Sequence, residues 1–229
     1  MSLNAHIAAV RERIANACAR AGRDPEEVTL IAVSKTQDAS VIEEGFELGL
    51  REFGENRVQE LIKKHDQLST RIHWHLVGHL QSNKAKFIAP FVHLVHSIDS
   101  FDTAEELGKR AEQAGRIVDI LLEVNIAHEP TKHGVLADQA EPLLAEILEG
   151  TPNLRVCGLM TVAPYEDYPE NTRPYFRALR TLRDRIAKHY PDLTEFRQLS
   201  MGMTNDFEIA IEEGATLVRV GTGIFGERA

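Results

Sequence analysis

One lysine stands where its amine could do chemistry. Lys35 closes the run Thr29-Leu30-Ile31-Ala32-Val33-Ser34 and is followed at once by the polar turn Thr36-Gln37-Asp38. The run is short, apolar and rich in β-branched residues, which is the pattern of a strand. Side chains alternate along a strand, so Ile31, Val33 and Lys35 share one face. An amine at such a strand end sits at the mouth of a sheet or barrel, where partial desolvation is expected. Burial disfavours the ammonium form, and the neutral amine is the form that condenses with carbonyls to give Schiff bases. A lysine that merely snorkels to water fits the same pattern, and the rest of the chain decides between the two.

Other groups could share that mouth. Ser200-Met201-Gly202-Met203 and Gly221-Thr222-Gly223 each follow a strand-like run and precede a helix or turn. In such segments backbone N–H groups and a helix N-terminus can approach a phosphate closely. Ser200 and Thr222 could add hydroxyl donors, although glycines serving only tight turns give the same spacing. Arg219 lies inside the apolar run Thr216–Val220. A charged side chain there is either paired with a carboxylate inside the fold or turned toward a ligand. Asn56 follows Phe53-Gly54-Glu55, placed to cap a helix or to hydrogen-bond into the mouth. His73 and His75 share a strand face, with His79 just beyond. That spacing alone is a weak metal signal, and they are expected to be core or rim histidines. Met201 and Met203 read as loop packing. A strand-end amine, two phosphate loops and an internal arginine describe a pocket for an aldehyde that carries a phosphate, and pyridoxal 5′-phosphate (PLP) is the obvious candidate.

The elements that must hold these residues recur as one unit. An amphipathic helix over about 4–22, with Ile7, Val10, Ile14, Cys18 and Ala21 on one side and Gly22 at its end, precedes the first strand. Strands are then expected at 29–34, 51–54, 72–77, 92–97, 117–124, 154–161, 196–200 and 216–220. Helices are expected near 39–49, 56–68, 82–89, 103–114, 136–149, 172–189 and 205–213, and 223–228 forms a closing turn. Thr103 and Glu106 suggest a capping box, and Tyr175, Leu179, Leu182 and Ile186 the buried stripe of the long helix. The strands lack polar alternation, so both faces are buried, as in a parallel sheet. Eight such units predict a single (β/α)₈ (TIM) barrel spanning 1–229, covered by an extra N-terminal helix within 1–25. An open doubly wound sheet is the alternative.

Composition sets outer bounds. The 229 residues are 43% hydrophobic and 27% charged, ordinary for a globular protein, and the net charge of −9 disfavours a nucleic-acid or anionic-membrane partner. No apolar run approaches the length of a membrane helix, and Arg11, Glu12 and Arg13 interrupt any signal-peptide pattern. Cys18 and Cys157 are the only cysteines, far apart, and are expected to be buried thiols in a reducing cytoplasm. No hydrophobic surface stripe demands a partner copy, and a monomer is expected.

Several segments together resemble a known family. Ala-Val-Ser-Lys-Thr (32–36), Phe-Gly-Glu-Asn (53–56), Trp-His-Leu-Val-Gly-His-Leu-Gln-Ser-Asn-Lys (74–84), Gly-Leu-Met-Thr (158–161), Leu-Ser-Met-Gly-Met (199–203) and Arg-Val-Gly-Thr-Gly-Ile-Phe-Gly (219–226) are similar, in order and over nearly the whole chain, to the YggS/PROSC family of pyridoxal phosphate homeostasis proteins. The resemblance implies a barrel like the N-terminal domain of alanine racemase. It implies that Lys35 carries PLP as an aldimine, that Arg219 faces the pyridine nitrogen, that Ser200, Gly221 and Thr222 hold the phosphate and that Asn56 lies near the cofactor. Lys84 and Lys132 match family lysines at secondary cofactor contacts. Departures from the family pattern are Arg57 after Gly-Glu-Asn, and His128 and Pro130 in the 125–135 loop.

Three functions are in competition. The first is a non-catalytic PLP-binding protein serving vitamin B6 and amino-acid balance, with apo PLP enzymes as possible recipients. The second is a PLP-dependent racemase of the alanine racemase type, and the third a Schiff-base aldolase acting on a phosphosugar. A permanent cation at the ring nitrogen opposes its protonation and weakens the electron sink, which favours the first. No tyrosine closely follows Lys35, and the chain ends directly after the last strand, where a racemase would need a further acid/base group.

Overall fold

The computed structural model describes residues 2–226, so the part of the closing turn expected at 227–228 lies outside the described residues. Eight parallel strands close on themselves in sequence order: β1 (Thr29–Val33), β2 (Glu52–Glu55), β3 (His73–Leu76), β4 (Leu94–Ile98), β5 (Val118–Glu123), β6 (Leu154–Met160), β7 (Gln198–Met203) and β8 (Leu217–Val220). The closed ring rules out the open doubly wound alternative. Helices alternate with the strands: α1 (Leu3–Ala21) precedes β1, and α2 (Ala39–Glu47), α3 (Val58–His65), α4 (Ala85–Ile88), α5 (Phe101–Gln113), α6 (Ala140–Gly150), α7 (Arg173–His189), α8 (Phe207–Glu212) and α9 (Thr222–Phe225) follow β1 to β8 in turn. Among the described residues no helix is long and apolar enough to cross a membrane.

The core has two layers, as burial on both faces of each strand requires. Ile31, Leu94, Leu121, Cys157, Met160 and Leu217 pack inside the barrel. The opposite strand faces, with Phe53, Trp74, Val95, Ile120, Val156 and Val218, pack against the helices. Both thiols are buried, and burial pushes Cys157 up to about 12, so it stays protonated.

Helix boundaries show where local signals were misread. α5 begins at Phe101 with Ser100 as its N-cap, the hydroxyl accepting from Thr103 N–H, so Thr103 is not the start of a capping box. The stripe of α7 is Phe176, Leu179, Leu182 and Ile186, with Tyr175 only half-buried. Phenylalanine has no hydroxyl to satisfy and takes the fully enclosed position.

Helix α1 is more than a cover. Ile7, Val10, Ile14, Ala17 and Cys18 are its buried residues, and it packs on α8 and α9. His6 Nδ1 lies 3.0 Å from the carbonyl of Ile224 in α9. The N-terminal helix therefore braces the turn after β8.

Candidate functional site

The register between β1 and β8 pairs Ile31 with Arg219 and Ala32 with Val220. Lys35 and the Gly221-Thr222 turn consequently emerge side by side at the C-terminal end of the barrel, the end where sites on this architecture are built. They line one cavity of about 390 Å³ together with Val33, Thr36, Gln37 and Phe225. A larger concavity of about 860 Å³ lies on the outer flank along α7, lined by Arg173, Pro174, Arg177 and Leu182, away from any of the site residues expected from sequence.

Lys35 is exposed at this mouth, not partly desolvated as the strand pattern suggested. The strand stops at Val33, and Thr36 takes φ +66°, an uncommon left-handed conformation for a β-branched residue that turns the chain abruptly outward. A network invisible in the sequence holds that turn. Glu60 Oε2 accepts from Thr36 N–H at 3.0 Å. The Ser34 hydroxyl donates to Glu55 Oε1 at 2.7 Å, and Lys64 Nζ donates both to Glu55 Oε1 at 2.6 Å and to the Ser34 carbonyl at 2.7 Å. Ser34, Glu55 and Lys64 are all buried. The residue before Lys35 is thus pinned from two sides.

The turn opposite is equally constrained. Thr204 Oγ1 accepts from the N–H groups of Gly221 and Gly223 at 3.3 and 3.4 Å. A Cβ at Gly223 would come within 2.9 Å of Val220 Cγ1 and 3.2 Å of Thr204 Cγ2, so only glycine fits there without a shift. Donor groups and a threonine hydroxyl in a tight turn suit an anion.

Arg219 and Ser200 sit below, inside the barrel, at 4% and 0% exposure. Arg219 donates to Ser200 Oγ and, at 2.8 Å, to the carbonyl of Thr161. Among the described residues no carboxylate reaches ion-pair distance of it, so the carboxylate-paired alternative is not what is found. Burial lowers Arg219 to about 10, opposed by the more distant charges of Asp206 and Glu123. Ser200 does not line the Lys35 cavity. Its hydroxyl lies 2.8 Å from His96 Nδ1, His96 Nε2 lies 2.9 Å from His75 Nδ1, and His75 Nε2 lies 2.8 Å from Glu52 Oε2. A hydrogen-bonded column therefore runs from Arg219 through the barrel to Glu52 at its other end. Full burial, with the charges of His75 and Arg219 nearby, holds His96 well below the usual histidine range. His75 is buried in this column and His73 lies at the rim, consistent with core and rim histidines.

Asn56 is exposed, and Arg57, not Asn56, occupies the N-cap position of α3. A Cβ at Gly78 would strike the Asn56 carbonyl at 2.2 Å, so the β2 and β3 ends are in direct backbone contact here. Lys132 enters a second mouth cavity of about 260 Å³ with Glu123, His79 and His133, and donates to the Ala163 carbonyl at 3.1 Å. Lys84, half-buried, ends the short 3-10 turn Ser82–Lys84 after β3. His128, one of the family departures, takes φ +56° in the loop after β5.

Glu123, at the end of β5, was not singled out from sequence. Burial, then the charge of Asp99, pushes its carboxyl up to about 7, against the pull of Arg219. Folding therefore takes up a proton at Glu123 between the ordinary carboxyl range and neutrality, and stability falls as the pH rises across that window. Glu123→Gln in the cofactor-free protein is expected to flatten this fall and to gain on the order of 3 kcal/mol at most above neutrality. Denaturant titrations at about pH 5 and about pH 8 measure it, and an unchanged pH slope would assign the dependence elsewhere.

Comparison with known proteins places this geometry. Residues 5–229 match the family model for the alanine racemase N-terminal domain. The chain is 47% identical over 223 residues to a pyridoxal phosphate homeostasis protein of Aquifex aeolicus, covering 97% of this chain and 96% of that one. It is 36% identical over 234 residues to the human pyridoxal phosphate homeostasis protein, covering 97% and 85%. A structure of PipY from Synechococcus elongatus PCC7942 with PLP bound superposes with a TM-score of 0.86 at 35% identity, covering 98% of this chain and 100% of that one. Near-complete coverage at this identity, on the same closed barrel, leads to one conclusion: the chain belongs to the pyridoxal phosphate homeostasis protein family.

Proposed function

We propose that this chain binds PLP covalently through Lys35 and serves PLP homeostasis by holding and releasing the cofactor without turning over a substrate. The observation that carries this reading is the meeting of the Lys35 amine and the Gly221-Thr222 turn in one cavity, with Arg219 buried beneath at the level of Ile31. In this arrangement the Lys35 amine reacts with the aldehyde. The Thr222 hydroxyl and the 221–223 turn hold the phosphate, the Gly221 and Gly223 N–H groups exchanging their long bonds to Thr204 Oγ1 for it, and Asn56 lies at the rim beside it. Ser200 enters through Arg219, whose guanidinium it orients.

Bound PLP supplies an electron sink for carbanion chemistry, strongest when its ring nitrogen is protonated. A buried guanidinium facing that nitrogen opposes a second positive charge there. Racemisation further needs proton-exchanging groups on both faces of a substrate. Of the residues lining the cavity, Val33, Lys35, Thr36, Gln37, Gly221, Thr222, Phe225 and Gly226, only Lys35 carries an ionisable side chain. The relatives from Aquifex aeolicus and human, both pyridoxal phosphate homeostasis proteins, support the same reading. A phosphosugar aldolase would have no use for an arginine beneath an aromatic ring.

The decisive experiment mixes PLP-loaded protein with an apo PLP enzyme in the presence of a PLP scavenger. Recovery of the acceptor's activity, without Lys35-dependent deuterium incorporation into L-alanine in heavy water, is the expected result. Incorporation at enzyme-like rates that requires Lys35 would make the protein a racemase, and a colourless protein that gains no absorbance band with PLP would remove the binding claim.

A further inference from the structure

Two clusters of metal-ligating side chains occur among the described residues, one at each end of the barrel. At the mouth, His79 and His133 approach Asp99 Oδ2 only to 3.7 and 3.8 Å, from the segments that follow β3, β5 and β4. At the opposite end, Glu52 opens β2, His73 opens β3 and His93 immediately precedes β4, with their ligand atoms all within 4.8 Å of one another. We propose that Glu52, His73 and His93 form a binding site for a divalent transition-metal ion of the zinc type, at the end of the barrel remote from Lys35. The site is independent of the cofactor reading.

The HxH spacing of β3 is only a weak metal signal by itself because the other two ligands come from β2 and from the residue before β4. Glu52 and His73 are register partners, and His93 N–H donates to the Trp74 carbonyl at 2.8 Å, so all three ligands stand on rigid, adjacent backbone. His73 Nδ1 already lies 2.7 Å from Glu52 Oε1. The His73 and His93 rings stack at 4.6 Å, which puts both imidazoles on the same side of the carboxylate. Ligation requires the two rings to swing out of that stack, and both side chains are exposed enough to do so.

Glu52 also has the outer support that a ligating carboxylate needs. Its second oxygen is held by His75 Nε2 at 2.8 Å, and His75 is 2% exposed and anchored in turn to His96. Such an outer partner fixes the orientation of the ligand and is absent from a casual rim ion pair. A cavity of about 190 Å³ reaches this end of the barrel, and Glu195 joins Glu52 and His93 along its wall, while the Asp119 carboxylate there is already paired with Arg155. Two imidazoles and one carboxylate match the borderline preference of Zn²⁺ and leave a position for water.

The test titrates Zn²⁺ into the full chain by calorimetry at neutral pH, with Co²⁺ as a spectroscopic substitute. One ion per chain is expected, with the visible bands of four-coordinate Co²⁺. The variants H93A, H73A and E52Q are each expected to weaken binding by more than about tenfold. H79A, in the mouth cluster, should leave it unchanged. His93 is exposed, so H93A keeps its fold and decides the matter even if E52Q unfolds. Absence of stoichiometric binding, or binding lost in H79A and retained in H93A, would overturn the assignment.

Discussion

Lys35→Ala is expected to abolish covalent capture of PLP and to lower affinity by on the order of 100-fold, about 3 kcal/mol. The phosphate turn and Arg219 would still offer non-covalent contacts, so weak binding without the absorbance band is the outcome anticipated. Structure gives a reason to expect an intact fold. Lys35 is exposed, and its side chain forms no hydrogen bond or ion pair among the described residues, so the melt should move by no more than about 0.5 kcal/mol. Borohydride reduction of the PLP-loaded wild type followed by peptide mapping checks the same point independently. A label recovered on Lys84 or Lys132 in place of Lys35 would dismantle the proposed site.

Lys64→Met should cost about 3–5 kcal/mol, because it strips the counter-ion from a fully buried carboxylate. Glu55 is 0% exposed, its Oε1 takes both Lys64 and Ser34, and its Oε2 already lacks a partner. For a chain of this size the loss corresponds to a fall of roughly 10 °C in melting temperature. Replacing both residues, Lys64→Met with Glu55→Gln, should recover part of the loss because no bare charge remains. By contrast, breaking the half-buried helix-surface pair Arg110–Glu106 should cost under about 1 kcal/mol. A Lys64→Met variant as stable as wild type would mean that Glu55 is protonated or hydrated in the native protein. Because Lys64 also grips the Ser34 carbonyl, the variant should slow capture of PLP by the neighbouring amine.

The strands were legible because a parallel barrel buries both faces of each one, leaving uninterrupted apolar runs such as Leu30-Ile31-Ala32-Val33 that end in polar turns. The same logic brought Lys35, Gly221 and Thr222 to one end, since the C-termini of parallel strands all point the same way. Lys64 escaped notice for the opposite reason. It follows Lys63 on an amphipathic helix and looks solvated, and only the closure of β1 against β2 encloses it. His96 carried a readable signal, a polar ring in a fully buried strand, but its partners lie on β3 and β7, 21 and 104 residues away. The resemblance implies a phosphate contact for Ser200; what strand alternation adds, and the sequence alone does not show, is that its side chain points inward to Arg219 and His96.

The column from Arg219 to Glu52 has a consequence that no heavy atom needs to report. With both rings neutral, arginine gives to serine, serine to His96, His96 to His75 and His75 to the carboxylate, so every hydrogen points down the barrel. Were His75 instead to donate from Nδ1, His96 would have to accept at Nε2 and carry its proton on Nδ1, which forces the serine hydroxyl beside the guanidinium to swing away. News of an event at one pole would then reach the other as a switch of tautomers, legible to nitrogen NMR and silent in an electron-density map at ordinary resolution.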